Sequence, residues 1–580
     1  MISLVCLGLL SFVFGIFWQT THHDFLLLDD YWILLNVPQE TSGLTLKGVI
    51  WDFTQTTIDR WTPISALSRQ IDCQFYGLQP SFHHLTNVII HAITSLLCFF
   101  ALRDLTNSPW RSAIVASFFA VHPLHVQTVA WISVRNELLA GLFFMLTLLV
   151  YNSYVRKGLT SRGYLIVILS YLLALMSKPT MVVMPVVLLL LDFWPLNRFK
   201  KSYNITKLFL EKLPLLMLAG LTALITAKHE PGFLTTSPLF YLHRLGSVPV
   251  GLFSYLEKFV LPIKLAFYYP IPARGWSTLL VFFTSLLSLI LTYFTIMLRK
   301  RYPYLLVGWL WNCTLLALPL LGIILSSGTQ TFGDRYSYLS QVGLCISIVW
   351  FCGDLARKKT WIHAAFIGTY LIILFSLIIC SYQEASYWKN TVSLMEHNLK
   401  FYTEENTFAH SYLADALIQS GNPYKAIPHI QKIVELDRTA ADNQVTIEYR
   451  HKLGRLLYQS GRREAGITEL DRTLKIQPGN AFIKNDLAWM LATSPEEKTR
   501  DGKRALKLIE EANKSMEGKD PSILDTLSAC YAETGDYPEA LRAANRAREL
   551  AKQAGMRELT ETLDKEITLY ESGKPIRDPQ

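Results

Sequence analysis

Apolar runs fill the first two thirds of the chain and stop near residue 385; beyond it charged residues recur every few positions. A run of about 18 or more apolar residues is long enough to cross a bilayer as a helix. On that measure spans are expected from Met1 to Trp18, Asn87 to Leu102, Arg111 to His122, up to Arg156-Lys157, Tyr164 to Ser177, up to Asp192, and Leu208 to Ala227. Four more are expected at 276–297, 304–325, 338–353 and 362–380, roughly eleven in all. The stretch Leu245 to Tyr269 is apolar but interrupted by Pro249, Glu257, Lys258, Pro262 and Lys264. It reads as an interfacial or re-entrant element, because irregular backbone at membrane depth is tolerated where it lines a cavity. The predicted fold class is all-α, with residues 1–385 forming a polytopic helical domain of about 11 or 12 crossings.

A polar loop, 19–86, separates the first two spans. Within it Leu46, Val49, Ile50 and Phe53 recur at helical spacing, as do Ile64, Leu67 and Ile71. Both segments are predicted as short amphipathic helices lying at the membrane interface.

The tail carries a different pattern. Leu413-Ala414, Leu417, Gly421 and Ala426 share their offsets with Leu453-Gly454, Leu457, Gly461 and Gly466, and with Leu527-Ser528, Tyr531, Gly535 and Ala540. A degenerate copy holds Leu487-Ala488, Leu491, Ala505 and Ala512, with an insertion around Pro495. Small residues at helix crossings, a turn glycine and a period near 34 residues predict tetratricopeptide helical hairpins. They are placed at 406–570, after a linker at 386–405. Such solenoids bind peptides or proteins.

Charge refines the picture. The net charge is +9, and basic clusters at Arg156-Lys157, Arg198 to Lys201, Arg299-Lys300-Arg301 and Arg357-Lys358-Lys359 sit at span ends. Under the positive-inside rule these ends face the cytoplasm, and no nucleic acid is needed to explain them. Met1 to Trp18 lacks a basic leader and reads as a retained span, not a cleaved signal. With that sidedness, Asp29-Asp30, His122, His125, Glu137, Lys178, Asp334-Arg335-Tyr336 and the repeat domain all fall on the outer face. The eight cysteines show no metal-binding or redox spacing.

Several stretches together carry a family resemblance. They are Leu28-Asp29-Asp30, Asp72-Cys73-Gln74-Phe75-Tyr76-Gly77-Leu78, His83-His84-Leu85-Thr86-Asn87, Val121-His122-Pro123-Leu124-His125, Ser177-Lys178-Pro179, Leu191-Asp192-Phe193-Trp194-Pro195-Leu196, Asp334-Arg335-Tyr336 and Trp388. In order and extent they resemble the bacterial multi-spanning GT-C-type glycosyltransferase-like proteins with C-terminal tetratricopeptide repeats. Those are relatives of the eukaryotic transmembrane tetratricopeptide O-mannosyltransferases. Two departures stand out. Gln127 replaces a frequent Glu, and Val134-Arg135-Asn136-Glu137 replaces a frequent Glu-Arg-Lys-Asp. Gln is a much poorer metal ligand than a carboxylate.

The resemblance implies that an acidic residue of the first loop, Asp29 or Asp30, is the base that deprotonates an acceptor hydroxyl; Asp29 is preferred. A carboxylate at a dry membrane edge has its pKa raised by desolvation and by its neighbour, which suits it to that task. The plain alternative is a solvated pair at a helix end. Arg335 is suited to a donor phosphate because its planar fork binds two oxygens at once. Lys178 would add a second positive charge, and Asp334 would orient Arg335. His122, His125, Arg135, Glu137, Asp334 and Tyr336 are candidates for positioning substrate. An ordinary Arg135–Glu137 ion pair is the competing reading. Two histidines leave a divalent metal open, but no third ligand stands at a telling spacing. No cofactor is assigned.

The resemblance implies an integral membrane enzyme, in a bacterial inner membrane. It would move a sugar, mannose or a similar hexose, from a polyprenyl-phosphate carrier to a hydroxyl on an exported protein, with inversion. The repeats would bind that protein or peptide. The rivals are a transferase acting on a lipid or surface polysaccharide, and a non-catalytic membrane-anchored scaffold. No phosphate-cradling glycine loop or Ser/His/Asp set is present.

Overall fold

A computed structural model describes residues 1–580 apart from 56–60, 200–204, 230–243, 273–274, 326–329, 331, 358–359, 403–405, 437–443 and 579–580. Lys200, Lys201, Lys358 and Lys359 of the basic clusters therefore lie outside the described residues. The chain divides into two compact units, Met1–Asn406 and Thr407–Gln580. Both are helical; among the described residues the one isolated β-bridge joins Pro270 and Gln330.

The first unit is a multi-pass membrane domain. Among the described residues, seven helices are long and apolar enough to cross a bilayer: Ile2–His22, Pro80–Thr106, Ile132–Arg156, Ile205–Lys228, Thr278–Leu298, Pro303–Gly322 and Thr360–Tyr387. The pair Pro109–Val121 and Pro123–Ala130, bent by 54°, brings the number to eight if it counts as one crossing. Three shorter apolar helices, Ser161–Ser177, Pro179–Phe193 and Ser340–Ala356, lie where the remaining spans are expected. Ser247–Val260 has 14 residues, a rise of about 21 Å. That falls short of a hydrocarbon core of about 30 Å.

Proline and glycine shape this unit. His122 precedes Pro123 and is extended (φ −71°, ψ 131°), as steric conflict with a following proline requires. Lys178, before Pro179, is extended for the same reason. Each ends a helix just where candidate site residues stand. Gly308 and Gly343 lie against each other's backbone, so a Cβ on either would collide with the other's carbonyl oxygen. Small residues of this kind let membrane helices approach closely.

The polar loop holds the two helices expected in it, at Leu46–Thr54 and Pro63–Tyr76. They are pinned from within. Arg69 donates through Nε and Nη2 to both oxygens of Glu40, at 2.6 and 2.7 Å. Residues 386–405, expected as a linker, are largely folded into the first unit instead. The helix Thr391–Phe401 buries Leu394, Met395 and Leu399. Its Asn398 donates to the Tyr268 carbonyl at 3.1 Å.

The second unit is a run of helical hairpins: Thr407–Gln419 with Pro423–Leu436, Gln444–Gln459 with Arg463–Ile476, Ala481–Thr493 with Gly502–Ser515, and Pro521–Glu533 with Tyr537–Gln553. Arg557–Glu571 covers the last. The turn glycines Gly421, Gly461 and Gly535 have φ of 76°, 83° and 85°, a conformation that only glycine adopts without cost. The degenerate third hairpin has a 3-10 turn, Glu497–Thr499, between its helices. This is a tetratricopeptide-type solenoid.

Candidate active site

Asp29 and Asp30 follow the first helix in a tight turn, and their environments differ. Asp30 is fully buried. One of its oxygens accepts the Leu26 backbone N–H at 3.0 Å. The other accepts the Ser133 backbone N–H at 2.9 Å and the Ser133 hydroxyl. Burial pushes its pKa up to about 6, opposed by the Ser133 and Leu26 hydrogen bonds. Asp30 therefore ties the first loop to the turn before the Ile132–Arg156 crossing. Asp29 is only half-buried and makes no hydrogen bond or ion pair with a described residue.

The Ser133 turn is itself held from below. Arg135 is fully buried and spreads its guanidinium over four residues of two helices, Pro63–Tyr76 and Pro80–Thr106. It reaches Asp72 at 2.5 Å, the His83 carbonyl at 2.8 Å, Asn87 at 2.8 Å and the Ser68 carbonyl at 3.4 Å. A buried arginine satisfied in this way is a structural hub, since its charge needs those partners. It does not reach Glu137 and has no surface left for substrate. The expected Arg135–Glu137 ion pair is not formed; Arg135 pairs with Asp72.

Glu137 pairs with Lys178 instead. The Lys178 ammonium lies 5.0 Å from the centre of the Tyr336 ring. Tyr336 also lies beneath Arg335, whose guanidinium carbon is 4.7 Å from the same ring and 5.5 Å from that of Trp131. Arg335 donates to the Tyr336 hydroxyl at 3.1 Å. Its backbone N–H donates to the Gln127 side-chain oxygen at 2.9 Å. No described carboxylate forms an ion pair with Arg335. Burial works against its charge, while Tyr336 and Asp29 favour it and the balance raises its pKa. Asp29 is thus one carboxylate whose field reaches Arg335; the adjacent Asp334 is another.

Asp334 does not orient Arg335. It is buried and accepts from the Tyr269 hydroxyl at 3.0 and 3.2 Å. Burial, then Glu384, raises its pKa to about 8. His122 has both ring nitrogens engaged by backbone: Nδ1 accepts from Leu124 at 3.3 Å and Nε2 donates to the Phe259 carbonyl at 3.1 Å. His125 donates from Nδ1 to the Phe119 carbonyl at 2.7 Å and is enclosed by Phe119, Tyr338 and His122. Both histidines are engaged by backbone and shape the bent span. Among the described residues no group of three or more His, Cys, Asp or Glu could hold a metal ion.

The structure thus gathers Asp29, Glu137, Lys178, Arg335 and Tyr336, and sets His122, His125, Arg135 and Asp334 behind them as support. Trp131, Ser133 and Tyr269 were not singled out from the sequence. Ser133 and Trp131 lie in the irregular stretch between His125 and Arg135, where buried non-helical backbone was the available signal.

No protein-family model matches the chain. Similar segments occur in human protein O-mannosyl-transferase TMTC1, 29% identical over 139 residues, or 22% of this chain and 16% of that protein. Xenopus laevis protein O-mannosyl-transferase tmtc2 is 35% identical over 104 residues, 18% of this chain and 12% of that protein. Human protein O-mannosyl-transferase TMTC3 is 33% identical over 92 residues, 16% and 10%. The chain therefore spans about a sixth of the length of the first relative it matches. Among solved structures, Archaeoglobus fulgidus oligosaccharyltransferase in the apo form aligns with 71% of this chain and 60% of its own, at TM-score 0.41 and 14% identity. MamA 41-end from Desulfovibrio magneticus RS-1 aligns with 29% of this chain and 94% of its own, at TM-score 0.22 and 15% identity. Over the matched segments the chain is similar to protein O-mannosyl-transferases.

Proposed function

We propose that the chain is an integral membrane glycosyltransferase of the GT-C type. It moves a sugar, mannose or a similar hexose, from a polyprenyl-phosphate carrier to a hydroxyl of an exported protein. The observation that carries this reading is the pair of unlike residues at the outer loops. Arg335 forms no ion pair with a described carboxylate and is flanked by the Trp131 and Tyr336 rings. Asp29 makes no hydrogen bond with a described residue, and its charge acts on Arg335.

In this reading Asp29 accepts the proton of a Ser or Thr hydroxyl as its oxygen attacks the anomeric carbon. The bond from that carbon to the carrier phosphate oxygen breaks on the opposite face, so the configuration inverts. The electron pair leaves with the phosphate, whose growing charge Arg335 meets with a bidentate fork. Lys178, already held by Glu137, adds a positive field from beside the same Tyr336 ring. Asp30 and Arg135 act through the backbone by fixing where Asp29 stands. In this reading the loops lie on the outer side of a bacterial inner membrane, a sidedness supported by the basic span ends Arg156-Lys157 and Arg299-Lys300-Arg301. The repeat unit recruits the acceptor.

The test uses detergent-purified full-length protein, radiolabelled polyprenyl-phosphate mannose and a Ser/Thr-rich peptide. Label on the peptide is the expected result. A well-folded protein that transfers none of several carrier-linked sugars to peptide, lipid or water would overturn the assignment in favour of a scaffold. Label on lipid or glycan alone would overturn the protein acceptor.

A further inference from the structure

A second feature lies at the opposite helix ends. A groove of about 660 Å³ opens among the helices Ile2–Phe17, Pro109–Val121, Ser340–Ala356 and Thr360–Tyr387. Chain direction places it away from the candidate site. Asp29 follows the far end of the first helix, and Arg335 precedes the start of Ser340–Ala356, whose other end carries Arg357. The groove therefore faces the other leaflet.

Its walls are apolar, formed by Leu4, Phe12, Ile114, Phe366 and Leu371 among others. Its one polar step is a hydrogen bond between the Ser117 and Tyr370 hydroxyls at 3.0 Å. Its mouth is basic. Arg111 is held by Asp354 at 2.7 Å, while Arg357 is exposed and forms no hydrogen bond or contact ion pair with a described residue, its charge acting on Asp354 only from a distance. His363 completes the rim. Trp110 and Trp361, 65% and 68% exposed near these helix ends, mark the depth of the headgroups. Gly8 lines the groove, and a Cβ there would meet nothing within 4 Å.

We infer that this groove binds an anionic diacyl phospholipid, one acyl chain lying along the apolar walls and the phosphate against Arg357. An apolar slot between spans with a basic mouth is the combination that selects a charged headgroup over a zwitterionic one. The volume suits a single acyl chain with the second left in the bilayer, and a long isoprenoid would not be contained. The site is separate from the sugar-donor site, because it opens to the other leaflet.

Native mass spectrometry of the full chain tests this, after delipidation in detergent. The protein is offered dioleoylphosphatidylglycerol and dioleoylphosphatidylcholine in equal amounts, and a polyprenyl phosphate in a separate competition. Phosphatidylglycerol should be retained about fivefold better than phosphatidylcholine, the worth of one near-surface basic side chain. Arg357→Gln should abolish that preference. Gly8→Leu, whose side chain enters open space, should reduce retention of both lipids at an unchanged melting temperature. Equal retention of the two lipids by the unmodified chain would overturn the inference. So would retention indifferent to both substitutions, or displacement of phosphatidylglycerol by polyprenyl phosphate.

Discussion

The backbone N–H of Arg335 donates to the side-chain oxygen of Gln127 at 2.9 Å, joining loops 208 positions apart. The bent span thereby holds the segment that presents the guanidinium. An amide does this without placing a negative charge beside Arg335, and its Nε2 is buried with no partner among the described residues. Gln127→Ala should strand the Arg335 N–H and cost about 1–3 kcal/mol of stability. Gln127→Glu should keep the acceptor but add a charge, raising the KM for an anionic donor by about tenfold. Melting temperature and donor KM separate the two effects, and unchanged values in both proteins would remove Gln127 from the site.

Asp29 and Asp30 should separate by stability. Asp30→Asn sets an NH₂ group against one of the donors of Leu26 or Ser133, at a cost of about 1–3 kcal/mol. Asp29→Asn should leave the melting temperature where it was. The Asp30 pKa is raised from 3.8 to about 6 on folding. Its contribution is therefore full below pH 4 and lost as pH rises through 6. That part of the pH dependence should vanish in Asp30→Asn. Equal destabilisation by the two substitutions would contradict the division of roles.

Asp334 offers a second pH signature. Its folded pKa of about 8 lies above its ordinary 3.8, so it is mostly protonated at neutral pH. Stability from this group falls as pH rises from about 4 to about 8. Asp334→Asn, a neutral mimic that still accepts from Tyr269, should be tolerated at pH 7 and should flatten the thermal stability profile between about pH 4 and 8. Loss of folding at pH 7 would show that the ionised form is the one the structure needs.

In the repeat unit, Asp525 and Glu566 face each other, buried, on the Pro521–Glu533 and Arg557–Glu571 helices. Burial raises the pKa of both, and Glu566 is pushed up to about 10. The folded state holds their shared proton more tightly than the unfolded chain, so stability is lost with rising pH. Glu566→Gln should slow hydrogen exchange of the last helix above pH 8 in the full-length protein. Faster exchange would mean that the carboxylate form is stabilising.

The spans, the loop helices and the hairpins were legible because hydrophobic periodicity and turn glycines report local structure directly. Pairing was not. Arg135 lies two residues from Glu137, yet it meets Asp72, 63 positions back. Lys178 meets Glu137 across two helices. Sequence shows which ionisable groups a membrane domain keeps but not which of them satisfy each other. Adjacent residues can also face different worlds, as Asp29 and Asp30 do, and their order in the chain carries no sign of it. The 386–405 linker misled for a related reason. The helix Thr391–Phe401 is polar enough to look free, yet Asn398 and His397 bond to the Tyr268 and Leu265 carbonyls.

The central claim is that Asp29 is the base and Arg335 the phosphate ligand. Its most direct test is the transfer rate of the Asp29→Asn protein from radiolabelled polyprenyl-phosphate mannose to peptide, measured together with donor binding. The expected result is a loss of about 10²–10⁴-fold in rate with donor binding retained, and the reverse balance, weakened binding, in Arg335→Gln. Transfer by Asp29→Asn at the unmodified rate would contradict the claim.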